Sequence, residues 1–246
     1  MLRPISLGKV HGIPMEVRPS AFILLGLLVI VMAFGEGMVF GLPIGFGGLE
    51  VPAYVKLALG IIGAEVLFFG ILLHEIAHGI MARRIGHAVH VISVQLFGGE
   101  AKIQGERPHE YIKGEEMIAF VGPAANLGLG GIFLLLSICL GPASTDQATE
   151  IAITAFSVLG FYNLLLGFFN LLPGYPFDGG LILRSLLRRR MDHDRTTLTA
   201  IKVCRLTAIG LGVFGFLWSD VAVVLIAILL YLTAYLEDPE YSFKIE

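Results

Sequence analysis

The feature that most constrains this chain is a series of apolar runs, each long enough to cross the hydrocarbon core of a bilayer. Of its 246 residues, 56% are hydrophobic and 15% are charged, and its mean hydropathy is +0.82. Soluble globular chains carry about 25% charged residues. Inside a bilayer only helices and closed barrels satisfy the backbone, and a spanning helix needs about 20 apolar residues. The runs have that length, so the sequence predicts an all-α polytopic membrane protein.

Loops rich in proline, glycine or charge divide the chain into six predicted transmembrane helices. These spans are predicted at about residues 19–40, 53–84, 114–140, 148–172, 198–217 and 220–236. Residues 5–17 and 88–104 instead alternate apolar and polar side chains around glycines, which predicts short membrane-associated β-hairpins. Because no polar run is long enough to fold alone, residues 1–246 are predicted to form a single membrane-embedded domain.

The basic residues predict how the chain is oriented. Six spans place both termini on one side of the membrane, together with the loops at 83–114 and 184–202. All but Lys56 of the 17 lysines and arginines lie on that side or close to it. An excess of positive charge marks the cytoplasmic face. We therefore expect a multi-pass protein of the cell membrane, with both termini and both hairpins on the cytoplasmic side.

The second span carries a metal-binding motif, His74-Glu75-Ile76-Ala77-His78. Two histidines four residues apart share one helix face, so both imidazoles can reach one metal ion. Glu75 points about 100° away around the helix, where its carboxylate can take a proton from water. Ionisable side chains inside a membrane are usually functional. The motif therefore predicts one zinc ion bound by His74 and His78, with Glu75 as general base.

The third zinc ligand has two possible origins. Catalytic zinc usually has three protein ligands and one open position. One origin is the loop that follows the motif, whose candidates are His87, His90, Glu100 and Glu106. The other is Asp178, which lies in a segment broken by prolines and glycines after the fourth span. We favour Asp178, because a carboxylate at membrane depth needs a compensating charge, whereas the loop candidates lie beyond Arg84 at or outside the interface.

Together these motifs resemble the site-2 protease family of intramembrane zinc metalloproteases (peptidase family M50). The resemblance rests on the His74–His78 motif and on Asn170-Leu-Leu-Pro-Gly-Tyr-Pro-Phe-Asp-Gly-Gly, which contains Asp178. Gly122-Pro123-Ala124-Ala125-Asn126 on the third span is also similar to the family's pattern. The resemblance implies one zinc ion held by His74, His78 and Asp178, with Glu75 as general base and then acid. It also implies that Asn170 holds the substrate strand or the developing oxyanion, the alternative being a cap for the broken helix.

The same resemblance implies an activity. The family cleaves peptide bonds within or beside the transmembrane segments of other proteins, so the expected partners are membrane-protein substrates and the lipid bilayer, without nucleic acid. The chain would be a minimal member without a PDZ or CBS domain, with recognition in its core or in a separate regulatory membrane protein. The alternative is a non-enzymatic membrane metal-binding protein or transporter. It is disfavoured because the polar groups converge on one site and simple transport has no use for a glutamate placed as a base.

The position of the motif along its helix predicts the depth of the site. His78 and His74 lie five and nine residues before the basic end of the span at Arg83. At about 1.5 Å of rise per residue, the metal lies roughly 8–14 Å inside the cytoplasmic boundary. A substrate helix must unwind before its carbonyls can be attacked. Residues 89–103 are therefore expected to offer a strand edge to an extended substrate.

Overall fold

A computed structural model of the protein describes residues 3–95, 98–103, 114–141, 146–174, 177–218 and 221–236. Within those ranges helices predominate, as expected. The helices are α1 (Ala21–Phe34), α2 (Ala53–Ile85), α3 (Glu115–Cys139), α4 (Gln147–Asn170), α5 (Asp178–Arg188), α6 (His193–Leu217) and α7 (Val221–Leu236). The strands are β1 (Ile5–Val10), β2 (Ile13–Val17), β3 (Met38–Val39), β4 (Leu42–Pro43), β5 (Val89–Gln95) and β6 (Gly98–Ile103).

Four helices in the described part of the chain, α2, α3, α4 and α6, are long and apolar enough to cross a membrane. Helices α1 and α7 are also apolar but shorter. The expectation of several membrane helices is therefore confirmed for four of the six predicted spans. The observed bounds of α2, α3 and α4 lie within two residues of the predicted ones.

The first predicted span, 19–40, is too long, because α1 ends at Phe34. Gly35 leaves the helix with an extended backbone, φ −61° and ψ 125°. Strands β3 and β4 follow as a tight antiparallel pair, and Phe40 and Gly41 turn between them with φ of 51° and 77°. Positive φ is easy for glycine and rare for other residues. Because the segment after Phe34 is apolar, it was predicted as part of the helix, and the turn at Phe40 and Gly41 was missed.

Helix α5 was not predicted. Residues 184–202 were expected to be a loop after the segment broken by prolines and glycines, but the chain becomes helical again at Asp178 and stays so to Arg188. An acidic residue in the first turn and a basic residue in the last turn both suit the helix dipole. The broken stretch is thus shorter than its prolines and glycines suggested.

The chain forms two compact units. One comprises Met1–Pro108 and Ala124–Gly167, and the other comprises His109–Pro123 and Phe168–Glu246. The single domain spanning residues 1–246 stays a prediction.

In the first unit, the two predicted hairpins form one four-stranded sheet with the order β1-β2-β5-β6. Strands β1 and β2 are antiparallel, as are β5 and β6, while β2 and β5 pair in parallel through Met15 and Ile92. Alternate side chains of a strand point to the same face. One face of this sheet accordingly packs on α2, in a core of Ile13, Met15, Val17, Ala21, Ile71, Leu72, Ile92 and Val94. The sheet therefore covers the half of α2 that carries the metal-binding motif.

Helices α3 and α4 pack closely within the first unit. A Cβ added at Gly130 would lie 2.8 Å from the backbone nitrogen of Leu164, whereas Gly128 and Gly131 face open space. Of the three glycines Gly128, Gly130 and Gly131 on α3, only Gly130 therefore makes this close contact. Ser137 and Ser157 are 2.7 Å apart through their hydroxyl oxygens and join the same two helices.

In the second unit, α5, α6 and α7 pack in sequence, and an ionic cluster anchors α5. The hydroxyl of Ser185 donates to Glu116 Oε2 at 2.5 Å, and Arg188 Nη1 contacts Glu115 Oε2 at 3.2 Å. Arg189 also pairs with Glu116. These contacts hold the C-terminal half of the helix that begins at Asp178 against the first turn of α3. Cys204 is buried in the apolar core of this unit, as expected of a packing residue, while Cys139 is exposed.

Candidate metal centre

Helix α2 brings His74, Glu75 and His78 together. One potential ligand atom from each side chain lies within 4.8 Å of those of the other two. The two imidazole rings are 4.6 Å apart between centroids and nearly perpendicular, at 81°. All three residues are buried, with exposed fractions of 5%, 7% and 7%. The spacing of the motif thus places three polar groups at one point on the helix, as predicted, while their roles stay predictions.

The backbone of strand β6 lies directly against Glu75. A Cβ added at Gly99 would be 2.5 Å from both Cδ and Oε1 of the Glu75 carboxyl group. Only glycine fits at this position without moving the carboxylate. The sequence predicted a hairpin here, but not that its second strand would contact Glu75.

The buried amide of Asn126 contacts one ring nitrogen of His74, Nδ1. The Nδ1 atom of His74 is 3.0 Å from Asn126 Oδ1 on α3, and Asn126 is 1% exposed. Behind it lies Asn163 of α4, which is fully buried. Neither asparagine was singled out as a site residue. The available signal was a pair of amide side chains inside apolar spans, since polar side chains at membrane depth tend to be functional.

The candidates for the third ligand, and the predicted site residue Asn170, are spread over the chain. Asp178 is the first residue of α5 and is half-buried, and Asn170 is the last residue of α4 and is also half-buried. Both belong to the second unit, whereas the motif belongs to the first. Among the described residues, the grouping of possible ligands consists of the motif's own side chains and includes none of Asp178, His87 and His90. Glu106 and the side chain of Glu100 lie outside the described part of the chain.

The donor atoms of this cluster fit zinc. Imidazole nitrogens and carboxylate oxygens are the ligands of catalytic zinc in hydrolases. Nδ1 of His74 contacts Asn126, and a metal-binding histidine usually turns one ring nitrogen to such a partner and the other to the metal. The cluster therefore has the residue types and spacing of a metal site of the HExxH class, on an apolar helix long enough to cross a membrane.

Comparison with known proteins agrees with this class. Residues 141–211 match the model of peptidase family M50. Rip3 of Mycobacterium tuberculosis, which its name places among zinc metalloproteases, is 37% identical over 212 residues, covering 86% of this chain and 51% of that protein. Zinc metalloprotease MJ0392 of Methanocaldococcus jannaschii is 27% identical over 237 residues, or 95% of this chain and 60% of that protein. The chain therefore spans about half the length of Rip3.

A solved structure has the same fold. The site-2 protease from Methanocaldococcus jannaschii superimposes with a TM-score of 0.57 at 27% identity, over 96% of this chain and 95% of that one. The protein belongs to peptidase family M50, the site-2 protease family, and its apolar helices are those of a membrane protein.

Proposed function

We propose that this protein is a zinc-dependent intramembrane endopeptidase that hydrolyses peptide bonds within or next to transmembrane segments of membrane proteins. The observation that carries the proposal is the buried cluster of His74, Glu75 and His78 on a span-length apolar helix. The names of the related proteins point to the same chemistry.

In this proposal one zinc ion is held by His74, His78 and Asp178. Asp178 lies inside the stretch of residues 141–211 that matches the family model, at the start of a helix anchored by ion pairs. When bound, zinc supplies the Lewis acid that activates water and polarises the scissile carbonyl. A position on a helix whose C-terminal half is anchored is a better ligand position than a surface loop, because ligands must hold their geometry without the metal.

Glu75 moves the proton in the proposed reaction. Its carboxylate takes a proton from the attacking water and returns it to the leaving amine, which is the work of a general base and then a general acid. Asn170, at the end of α4, holds the substrate strand or the developing oxyanion, or else caps the helix where the chain breaks. If the protein were instead a non-enzymatic metal-binding protein or a transporter, Glu75 would have no role as a base.

The membrane arrangement proposed here has six spans, with α1 and α7 completing the four longer helices. Both termini and both hairpins lie on the cytoplasmic side, and the active site lies inside the bilayer nearer to that side. All but Lys56 of the basic residues support this orientation. The substrates are membrane proteins that enter from the bilayer, and a separate regulatory membrane protein is a further possible partner.

We propose that strand β6 receives the unwound substrate. In the described part of the chain β6 pairs only with β5, so its other edge is open for main-chain hydrogen bonds. An extended peptide that adds to such an edge gains backbone hydrogen bonds whatever its sequence. Because Gly99 lies against Glu75, a substrate on this edge is held beside the general base.

The contact between Gly99 and Glu75 yields a first prediction. Gly99→Ala is expected to lower the cleavage rate by about 100-fold, because its methyl group displaces the Glu75 carboxyl and misplaced catalytic groups cost rates of this order. Zinc content should not change, since Glu75 is not a proposed ligand. The matched control is Gly48→Ala, where an added Cβ meets nothing within 4 Å. Equal rates in the two variants would contradict the proposed role of this strand.

The function itself is tested by removing the metal. Protein purified in detergent should contain one zinc ion per chain and cleave a model substrate with a single transmembrane helix. A chelator should abolish cleavage, and stoichiometric zinc should restore it, because activation of water depends on the ion. Zinc-dependent cleavage supports the proposal. A protein that binds zinc, cleaves no membrane substrate and moves metal into liposomes would support the transporter alternative.

A further inference from the structure

We infer that Asn126 and Asn163 form a directed hydrogen-bond relay that sets the tautomer and orientation of His74, which makes them positioning residues for the metal site. This inference rests on the proposed role of His74 as a zinc ligand and adds two residues to the site.

The relay consists of three contacts that run across three helices. Asn163 Nδ2 donates to the backbone carbonyl of Leu159 at 2.8 Å. Asn126 Nδ2 donates to Asn163 Oδ1 at 3.5 Å, a long and weak hydrogen bond. Asn126 Oδ1 in turn lies 3.0 Å from Nδ1 of His74. All of these residues belong to the first unit of the chain.

The direction of the relay follows from its far end. A backbone carbonyl can only accept, so Asn163 must turn its NH₂ group to Leu159 and its oxygen to Asn126. Asn126 must then turn its NH₂ group to Asn163 and its oxygen to His74. An amide oxygen can only accept, so Nδ1 of His74 carries the proton. The imidazole lone pair is therefore on Nε2, where a metal ion binds it.

Burial makes this arrangement hard to change. Asn126 and Asn163 are 1% and 0% exposed, so water is not at hand to replace a lost partner. Reversing either amide would set two acceptors or two donors against each other. Gly70 leaves room for the relay, because a Cβ added there would lie 2.6 Å from Asn163 Oδ1. Gly70, which lies on α2 one turn before His74, thus leaves room for the Asn163 amide, and the Asn163 amide in turn accepts the hydrogen bond from Asn126.

The test measures the affinity for zinc by competition with a chelator of known affinity, so it does not depend on cleavage. Asn126→Leu keeps the size of the side chain but removes the acceptor, and it should weaken zinc binding by about 10- to 100-fold, the usual effect of losing an outer-shell partner. Asn126→Asp keeps an acceptor for Nδ1 but loses the donor to Asn163 Oδ1, so it should bind zinc less tightly than the wild type and more tightly than Asn126→Leu. If Asn126 had only a structural role, zinc affinity would not be higher in Asn126→Asp than in Asn126→Leu.

A second pair of variants tests the far end of the relay. Gly70→Ala should displace Asn163 and weaken zinc binding, whereas Gly128→Ala, another helix glycine with nothing within 4 Å of an added Cβ, should not. Wild-type affinity in both Asn126→Leu and Gly70→Ala would overturn the relay and leave the proposed function intact. A wild-type protein without zinc affinity, or one in which His74→Ala binds zinc normally, would overturn both.

Discussion

Glu75→Gln is expected to abolish cleavage while leaving the zinc ion bound. The amide has nearly the shape of the carboxylate but cannot accept a proton from water. General acid–base catalysis contributes about 10²- to 10⁴-fold to a rate, and we expect a loss of that size. The substitution does not alter His74 and His78, whose buried imidazoles are the proposed zinc ligands. Metal analysis and single-turnover cleavage of the same preparation measure the two quantities together.

The chain offers a matched control for this substitution. Glu65 is a carboxylate on the same helix, nine residues before His74, and is exposed. Glu65→Gln makes the same chemical change away from the metal centre and should leave the cleavage rate close to that of the wild type. Cleavage that survives Glu75→Gln would exclude Glu75 as the base, and loss of zinc in that variant would instead make it a ligand.

Asp178→Ala is expected to release zinc as well as to stop cleavage. With only two imidazoles left, affinity should fall by more than about 100-fold, the upper range for the loss of an outer-shell partner. Chelator competition measures this loss. Asp192→Ala is a suitable control, because Asp192 is also an acidic residue at the start of a helix, where it accepts from the Arg195 backbone nitrogen. It should lower stability slightly and leave zinc in place.

The same measurement decides between the two origins of the third ligand. Single alanine substitutions should retain zinc at each of the loop candidates, which are His87, His90, Glu100 and Glu106. Full zinc occupancy after Asp178→Ala would refute the proposed ligand set. Loss of zinc from one of the loop variants would identify the replacement.

The elements that were predicted well are those determined by local pattern. The bounds of α2 followed from one apolar run that ends at Arg83 and Arg84, and both hairpins from alternation around glycine. The end of α1 and the start of α5 were missed. In both places glycine or proline lies in apolar sequence, and only the surrounding structure determines whether the chain turns, unwinds or resumes a helix.

The sequence by itself determined the cluster of His74, Glu75 and His78, because the two histidines lie about one helical turn apart and the helix repeat alone brings the three side chains together. It also determined the membrane setting, since apolar runs of this length have few alternatives. Only the tertiary structure brought strand β6 against Glu75 and the amides of Asn126 and Asn163 behind His74. Those partners come from other helices and from a strand, and side-chain spacing along one segment carries no information about which distant segment packs against it.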